Sequence, residues 1–387
     1  MMVPKRCVSE STPVEATRLG RTVLYTERVD ATWVDTDDAL QTWCERLVTH
    51  PRIAVDTEAN SMFVYHEQIC LVQVSTPDVD LLIDPLAVDL SPLGRVLADP
   101  SVQKVMHGAD YDVLIFKRRE QIDIANLFDT MIAARVLGWP KCGLASLLDE
   151  HFGFKANKAF QRYDWAQRPL SDEALAYARC DTHYLLRLAD IQAEALDAGP
   201  HRALFDRACE RQTAVVPRER PFDPDGYWKM KGARNLDEPG RAVLKATYAW
   251  RERKAEALDR PPFRVLPEMA MISLARTRPT SRGELAGLKG MPKPVARRDG
   301  AELLAVIHEA ASQACPEPAR PPVDKMRTER VDALKAWRKS EAARLGVEPE
   351  IILDRASLMA VVDGDVSDLE AWERERYGDA IAAALRS

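Results

Sequence analysis

Ile53-Ala54-Val55-Asp56-Thr57-Glu58 is apolar up to Val55 and then delivers two carboxylates two residues apart. This is the pattern of a buried β-strand that ends in acid. In a strand, residues i and i+2 share a face, so Asp56 and Glu58 project side by side while Thr57 faces away. Carboxylates held that close repel each other unless a cation lies between them. Hard oxygen ligands of this kind suit Mg²⁺ or Mn²⁺. A solvated strand end has the same sequence, so the residues downstream carry the decision.

The 387 residues allow two or three domains, each with a core of its own. Hydrophobic residues make up 46% and charged residues 29%, the balance of an ordered chain. Seven scattered cysteines without a C-x-x-C pair argue against a disulfide framework or a zinc module, and for a reducing cytoplasm. The first twenty residues have no apolar core of signal-peptide type, and no run is long enough to span a bilayer; a cytoplasmic protein is expected. Charge is unevenly spread: residues 206–300 carry a surplus of +8, which leaves about −14 on the remainder. A basic segment beside an acidic domain suits a polyanionic substrate held by one part and cut by another. Basic helices that merely face water would give the same count.

Around the acidic strand the spacing predicts a flexible tail over 1–20, short strands at 22–25 and 32–34, and a helix over 37–48. Strands at 68–74 and 80–84 follow, then helices alternating with short strands: helix 90–97, strand 102–106, a helix from 112, an extended piece 122–127 and a helix capped by Asp129. A helix over 144–150 and a long one from Ser171 to about Asp190 complete an α/β domain with a mixed sheet over 21–205. After a proline- and charge-rich linker (206–235) the signal is all-helical. Trp250-Arg251 precede Leu266 as Trp337-Arg338 precede Leu353, at an offset of 87, and Met271, Ile272 and Leu274 fall on Leu358, Met359 and Val361. The pattern predicts a duplicated helical module at 236–312 and 325–387, separated by a proline-rich linker at 313–324.

The predicted long helix holds Tyr177 and Asp181 one turn apart on one face. Between it and the acidic strand, His107-Gly108-Ala109-Asp110-Tyr111-Asp112 follows another strand, and Asp164-Trp165 with Arg168-Pro169-Leu170 stands just before the helix. Taken in order, Asp56-x-Glu58, Asp112 and Tyr177-x-x-x-Asp181 resemble the DEDDy branch of the 3′-5′ exonucleases. The flanking stretches are similar to ribonuclease D and its exosome-associated relatives. The resemblance implies a ribonuclease H-like exonuclease domain followed by an HRDC domain and a second, divergent HRDC-like domain. Ala176 stands where the sister branch has histidine, so this is the tyrosine type.

The resemblance implies two divalent ions, Mg²⁺ or Mn²⁺, held by Asp56, Glu58, Asp112 and Asp181. Asp56 would bridge them, Glu58 and Asp181 would complete the water-activating side, and Asp112 would serve the leaving-group side. Tyr177, with an ordinary pKa near 10, would orient the attacking water rather than deprotonate it. Asp110 competes with Asp112 for its place. Candidate RNA contacts are His107, Lys155, Lys158, Gln161, Arg162 and Trp165. Phe63, Tyr65 and His66 are candidates to stack on terminal bases or to pack on the sheet. The expected activity is trimming of RNA 3′ ends, with tRNA precursors the substrate the family implies, by a monomer. The same chemistry on DNA and a non-catalytic RNA-binding scaffold are the alternatives.

Overall fold

The computed structural model describes residues 30–155, 160–217, 221–316 and 324–386. The strand expected at 22–25 and the tail before it lie outside these. Six strands form one mixed sheet: β1 (Asp30–Val34), β2 (Arg52–Ala59), β3 (Ile69–Ser75), β4 (Val79–Ile83), β5 (Gln103–Met106) and β6 (Leu127–Asp129). Their order is β1-β4-β3-β2-β5-β6. The acidic strand is β2. It pairs antiparallel with β3 and parallel with β5, and its register shifts between Glu58 and Ala59, where pairing with β3 ends. Ile53, Ala54 and Val55 are fully buried, and burial gives way at Asp56, as the sequence pattern predicts.

Three elements differ from expectation. Residues 122–126 stay out of the ladder: Asn126 has a positive φ of 52°, and only Leu127–Asp129 pair with β5. The helix before them starts at Asp110 and runs to Ile115, then widens into a π-helical turn, Phe116–Glu120. The long helix is two, Asp172–His183 and Leu185–Ala198, broken at Tyr184, whose ring packs on Phe152 and Phe154. Ser171 caps the first of these through the amide of Ala174. That helix lies across β2, β3 and β4, which carries Tyr177 and Asp181 to the acidic strand.

The offset of 87 appears in the helices. Glu238–Ala257, Pro262–Val265 and Glu268–Thr277 correspond to Lys325–Leu345, Pro349–Ile352 and Arg355–Asp363. Asp237 and Asp324 cap the long helices alike, and Arg251 and Arg338 each donate to a carbonyl fifteen residues on, Leu266 and Leu353. The first module has its own core, around Trp250, Leu266, Met271 and Leu303. The core of the second, with Leu334, Ile352, Leu353 and Tyr377, is continuous with that of the sheet domain.

Candidate active site

β2 ends between two elements that bring it acid. Asp56 and Glu58, half-buried, meet Asp181 from the helix Asp172–His183, and one carboxylate oxygen of each lies within 4.8 Å of the others. Asp112, 7% exposed, stands outside this trio in the first turn of the helix Asp110–Ile115 and accepts a hydrogen bond from the Thr57 hydroxyl. Thr57 does face away from Asp56, and that orientation is what lets it tie Asp112 to the strand. Asp110 is exposed, and its charge neighbour is Asp129 rather than the trio.

Asp129 holds the turn that delivers Asp112. Its carboxylate caps the helix Thr130–Val136 through the amides of Met131 and Ile132, and accepts from Gly108 and Ala109 at 3.0 and 2.8 Å. Gly108 has φ +65°, and a Cβ there would come 2.9 Å from Met131 Cε. Gly108→Ala is therefore expected to cost about 1–2 kcal/mol for the left-handed backbone alone. Chemical denaturation checks this; an unchanged midpoint would show that the turn tolerates a side chain.

Burial, followed by the charges of Asp112, Asp181 and Glu58, raises the pKa of Asp56 well above the usual carboxylate range. Burial and the neighbouring Asp181 and Asp112 push Glu58 up to about 9. Burial raises Asp181 to about 7 and Asp112 to about 6, the latter against the opposing Thr57 bond. A cluster of hard oxygen donors kept together at that electrostatic cost fits a divalent cation. Burial and then the Asp181, Glu58 and Asp56 carboxylates hold the Tyr177 phenol above its ordinary value. It stays protonated, which leaves its O–H as a donor.

The predicted RNA contacts divide. Lys155 and Gln161 are exposed and line a cleft of about 660 Å³ together with Phe154, Tyr177 and Asp181. Arg162 is exposed. Lys158 lies outside the described residues. His107 is not available to a strand: its Nδ1 is 2.8 Å from the Thr130 hydroxyl, its Nε2 is enclosed, and burial lowers its pKa to about 4. Trp165 is corrected likewise. It is 2% exposed and stacks beneath Tyr177 at 6.1 Å between ring centroids, so it supports the tyrosine rather than a base. Its loop is pinned by Arg168, which bonds the Asp84 carboxylate and the carbonyls of Cys70 and Trp165. Phe63, Tyr65 and His66 contact the first helical module. Tyr65 donates to Glu252 at 2.7 Å, the Tyr65 and His66 amides both donate to Asp259, and Arg264 lies over the Phe63 ring.

A family model described as a 3′-5′ exonuclease matches residues 31–197, and one for the HRDC domain matches 240–307. A ribonuclease D from Pseudomonas paraeruginosa is 32% identical over 92% of this chain and 97% of its own length. The chain belongs to the ribonuclease D family. It is a hydrolytic 3′-5′ exoribonuclease of a fold in which a helical HRDC region follows the nuclease. The crystal structure of Escherichia coli RNase D, an exoribonuclease involved in structured RNA processing, matches with a TM-score of 0.65 and 29% identity. That match covers 92% of this chain and 99% of the other. The catalytic core of RRP6 from Trypanosoma brucei gives 0.68 and 29%, over 73% and 80%. The family's exonuclease domain is metal dependent, in keeping with the carboxylate cluster. Among the described residues no helix is long and apolar enough to cross a membrane.

Proposed function

We propose that the chain removes nucleotides one at a time from RNA 3′ ends, releasing 5′-mononucleotides, with two divalent ions, Mg²⁺ or Mn²⁺. The observation that carries this is the placement of Tyr177 one turn before Asp181, both lining one cleft, with Asp181 meeting Asp56 and Glu58. Asp56, Glu58, Asp181 and Asp112 are the residues that would hold the ions. Bound there, the ions would supply a water-derived nucleophile near neutral pH and stabilise the departing 3′-oxygen. Tyr177, protonated and seated on Trp165, donates to the attacking water and fixes its line of approach. Lys155 and Gln161 contact the terminal nucleotide from the other wall of the cleft.

The first helical module, with the basic surplus of 206–300, holds the body of the RNA by its phosphates. It contacts the sheet domain through Glu252 and Asp259, which both bond Tyr65. The second module is read as a divergent HRDC-like domain on the strength of the offset of 87, and its residues 325–387 carry 11 basic against 13 acidic side chains, poorly suited to phosphate. Structured RNAs such as tRNA precursors are the assigned substrates, a monomer the assigned state and a reducing cytoplasm the assigned setting; the six cysteines described are all unpaired.

The test uses 5′-labelled RNA and DNA of one sequence, with Mg²⁺, Mn²⁺ or chelator. The expected result is a ladder shortening from the 3′ end, faster on RNA and lost in chelator. Tyr177→Phe should lower kcat by about 10²-fold, as for a lost positioned proton donor, with Mn²⁺ affinity unchanged. Equal trimming of DNA would overturn the substrate assignment, and no trimming of either polymer by folded protein would overturn the enzyme.

A further inference from the structure

Gln73 lies on β3 directly opposite Asp56. Opposed residues of an antiparallel pair share a face with Cβ atoms about 4.5–5.5 Å apart, so a glutamine amide there is within reach of the aspartate carboxylate. Gln73 is fully buried, and among the described residues it alone has both polar side-chain atoms enclosed and unbonded. A buried amide without partners works against the fold, since its hydrogen bonds to water are given up for nothing.

The surroundings narrow what that amide is for. Along its row the next residue is Leu82 of β4, and Ala178 in the apolar cluster with Leu71 and Leu82 belongs to the covering helix; neither offers a partner. One pair along β3, the Ser75 and Thr182 hydroxyls bond each other at 2.7 Å. Asp80, opposite Ser75, is bonded through Oδ2 by Arg179 and His183, and its buried Oδ1 is unbonded. The Asp56 carboxylate, directly opposite, is nearer to the amide by register than Asp80 Oδ1, which is diagonal across the β3–β4 pair.

We propose that Gln73 is a positioning residue of the metal site: its amide nitrogen donates to the Asp56 carboxylate when the acidic side chains draw together on a divalent ion, and so fixes the orientation of that ligand. This rests on the metal-dependent reading above. An uncharged donor is the right group for the place, because it steadies the carboxylate without neutralising it, as a lysine would. Groups that orient a ligand in this way typically change metal affinity by 10–100-fold when removed.

The experiment titrates Mn²⁺ into the full chain without RNA, by calorimetry and by the electron paramagnetic resonance of bound Mn²⁺, for wild type, Gln73→Leu and Gln73→Met. Both variants should bind Mn²⁺ roughly tenfold or more weakly. The metal-free melting temperature should be equal or higher, since an unbonded buried amide has gone, and KM for RNA at saturating Mn²⁺ should be unchanged. Unchanged Mn²⁺ affinity in either folded variant would overturn the proposal. If the leucine variant does not fold, the methionine variant, which keeps the unbranched length, decides. Failure of both to fold would also overturn it, because the amide would then serve the fold. Wild type that binds no Mn²⁺ would instead refute the metal reading itself, and the two failures are distinguishable.

Discussion

Asp56→Asn is expected to abolish trimming and, in chelator, to raise the melting temperature. The residue meets Glu58 and Asp181 in the trio, and Asp112 adds to the charge around it. Activity should fall by about 10³-fold, the upper end for loss of one electrostatic group. Stability moves the other way because of linkage. Asp56, Glu58, Asp181 and Asp112 all have folded pKa values above the unfolded range near 4. Groups raised in this way hold a proton more tightly when folded. Their stabilising contribution is complete below the unfolded pKa and is lost as pH rises through the folded values, between about 6 and 9 for Asp112, Asp181 and Glu58. The metal-free protein should therefore weaken progressively from about pH 4 upward. Asparagine does not titrate, and it relieves its three neighbours. At pH 8 in chelator the variant should be more stable by about 1–2 kcal/mol, a few degrees in Tm, and the gap should close toward pH 4. Saturating Mn²⁺ should reverse the order, since ligand at about 100 times Kd stabilises only the binding-competent chain by about 2.7 kcal/mol. Thermal melts at pH 4, 6 and 8, with chelator and with Mn²⁺, check each sign. Equal melting temperatures at pH 8 in chelator would sink the electrostatic account.

What the sequence made legible was whatever local periodicity encodes. Asp56 and Glu58 share a strand face, Tyr177 and Asp181 share a helix face, and Asp129 caps the helix after it; each statement needs only residues a few positions apart. The misread residues are those whose partners are far away in the chain. Trp165 looks like an RNA contact until the helix closes over it, and His107 looks available until Thr130 takes its Nδ1. Tyr65 and His66 answer to Glu252 and Asp259, nearly two hundred residues later. Arg168 and Asp84 were each visible as charges, but nothing local pairs them. Gln73 is the sharpest case: a polar residue in a strand is ordinary, and only the covering helix makes it a buried amide beside a carboxylate. The duplicated helices were legible by their offset, while the surface on which each copy would rest was not.

That resting surface supports the second large effect. Removing residues 324–387 should destabilise the nuclease domain itself. The short helix Pro349–Ile352 packs on both Thr130–Val136 and Arg202–Thr213. Phe205, on the latter, packs against Phe128 of β6 at 4.6 Å and is 2% exposed. His201 donates to the Leu345 carbonyl, and backbones approach so closely at Gly138 that a Cβ there would collide with the Gly346 oxygen. Uncovering two or three buried apolar side chains removes about 5 kcal/mol, at 1.5–3 each. A domain holds only about 5–15 in total. The truncated chain should melt at least about 10 °C lower, or fail to stay soluble. Arg211→Ala tests the same contact without truncation. Arg211 is bonded to Glu373, which is fully buried, and to Asp354. Breaking such a pair from one side costs about 3–5 kcal/mol, because the remaining charge is stranded. Burial already raises the Glu373 pKa, and Arg211 opposes that rise. Without the guanidinium the carboxyl goes higher still, so the loss should be larger at pH 8 than at pH 5, where Glu373 is free to protonate. A truncated chain that melts with the full one, together with a pH-independent Arg211→Ala, would make the second module an appendage rather than a wall of the nuclease.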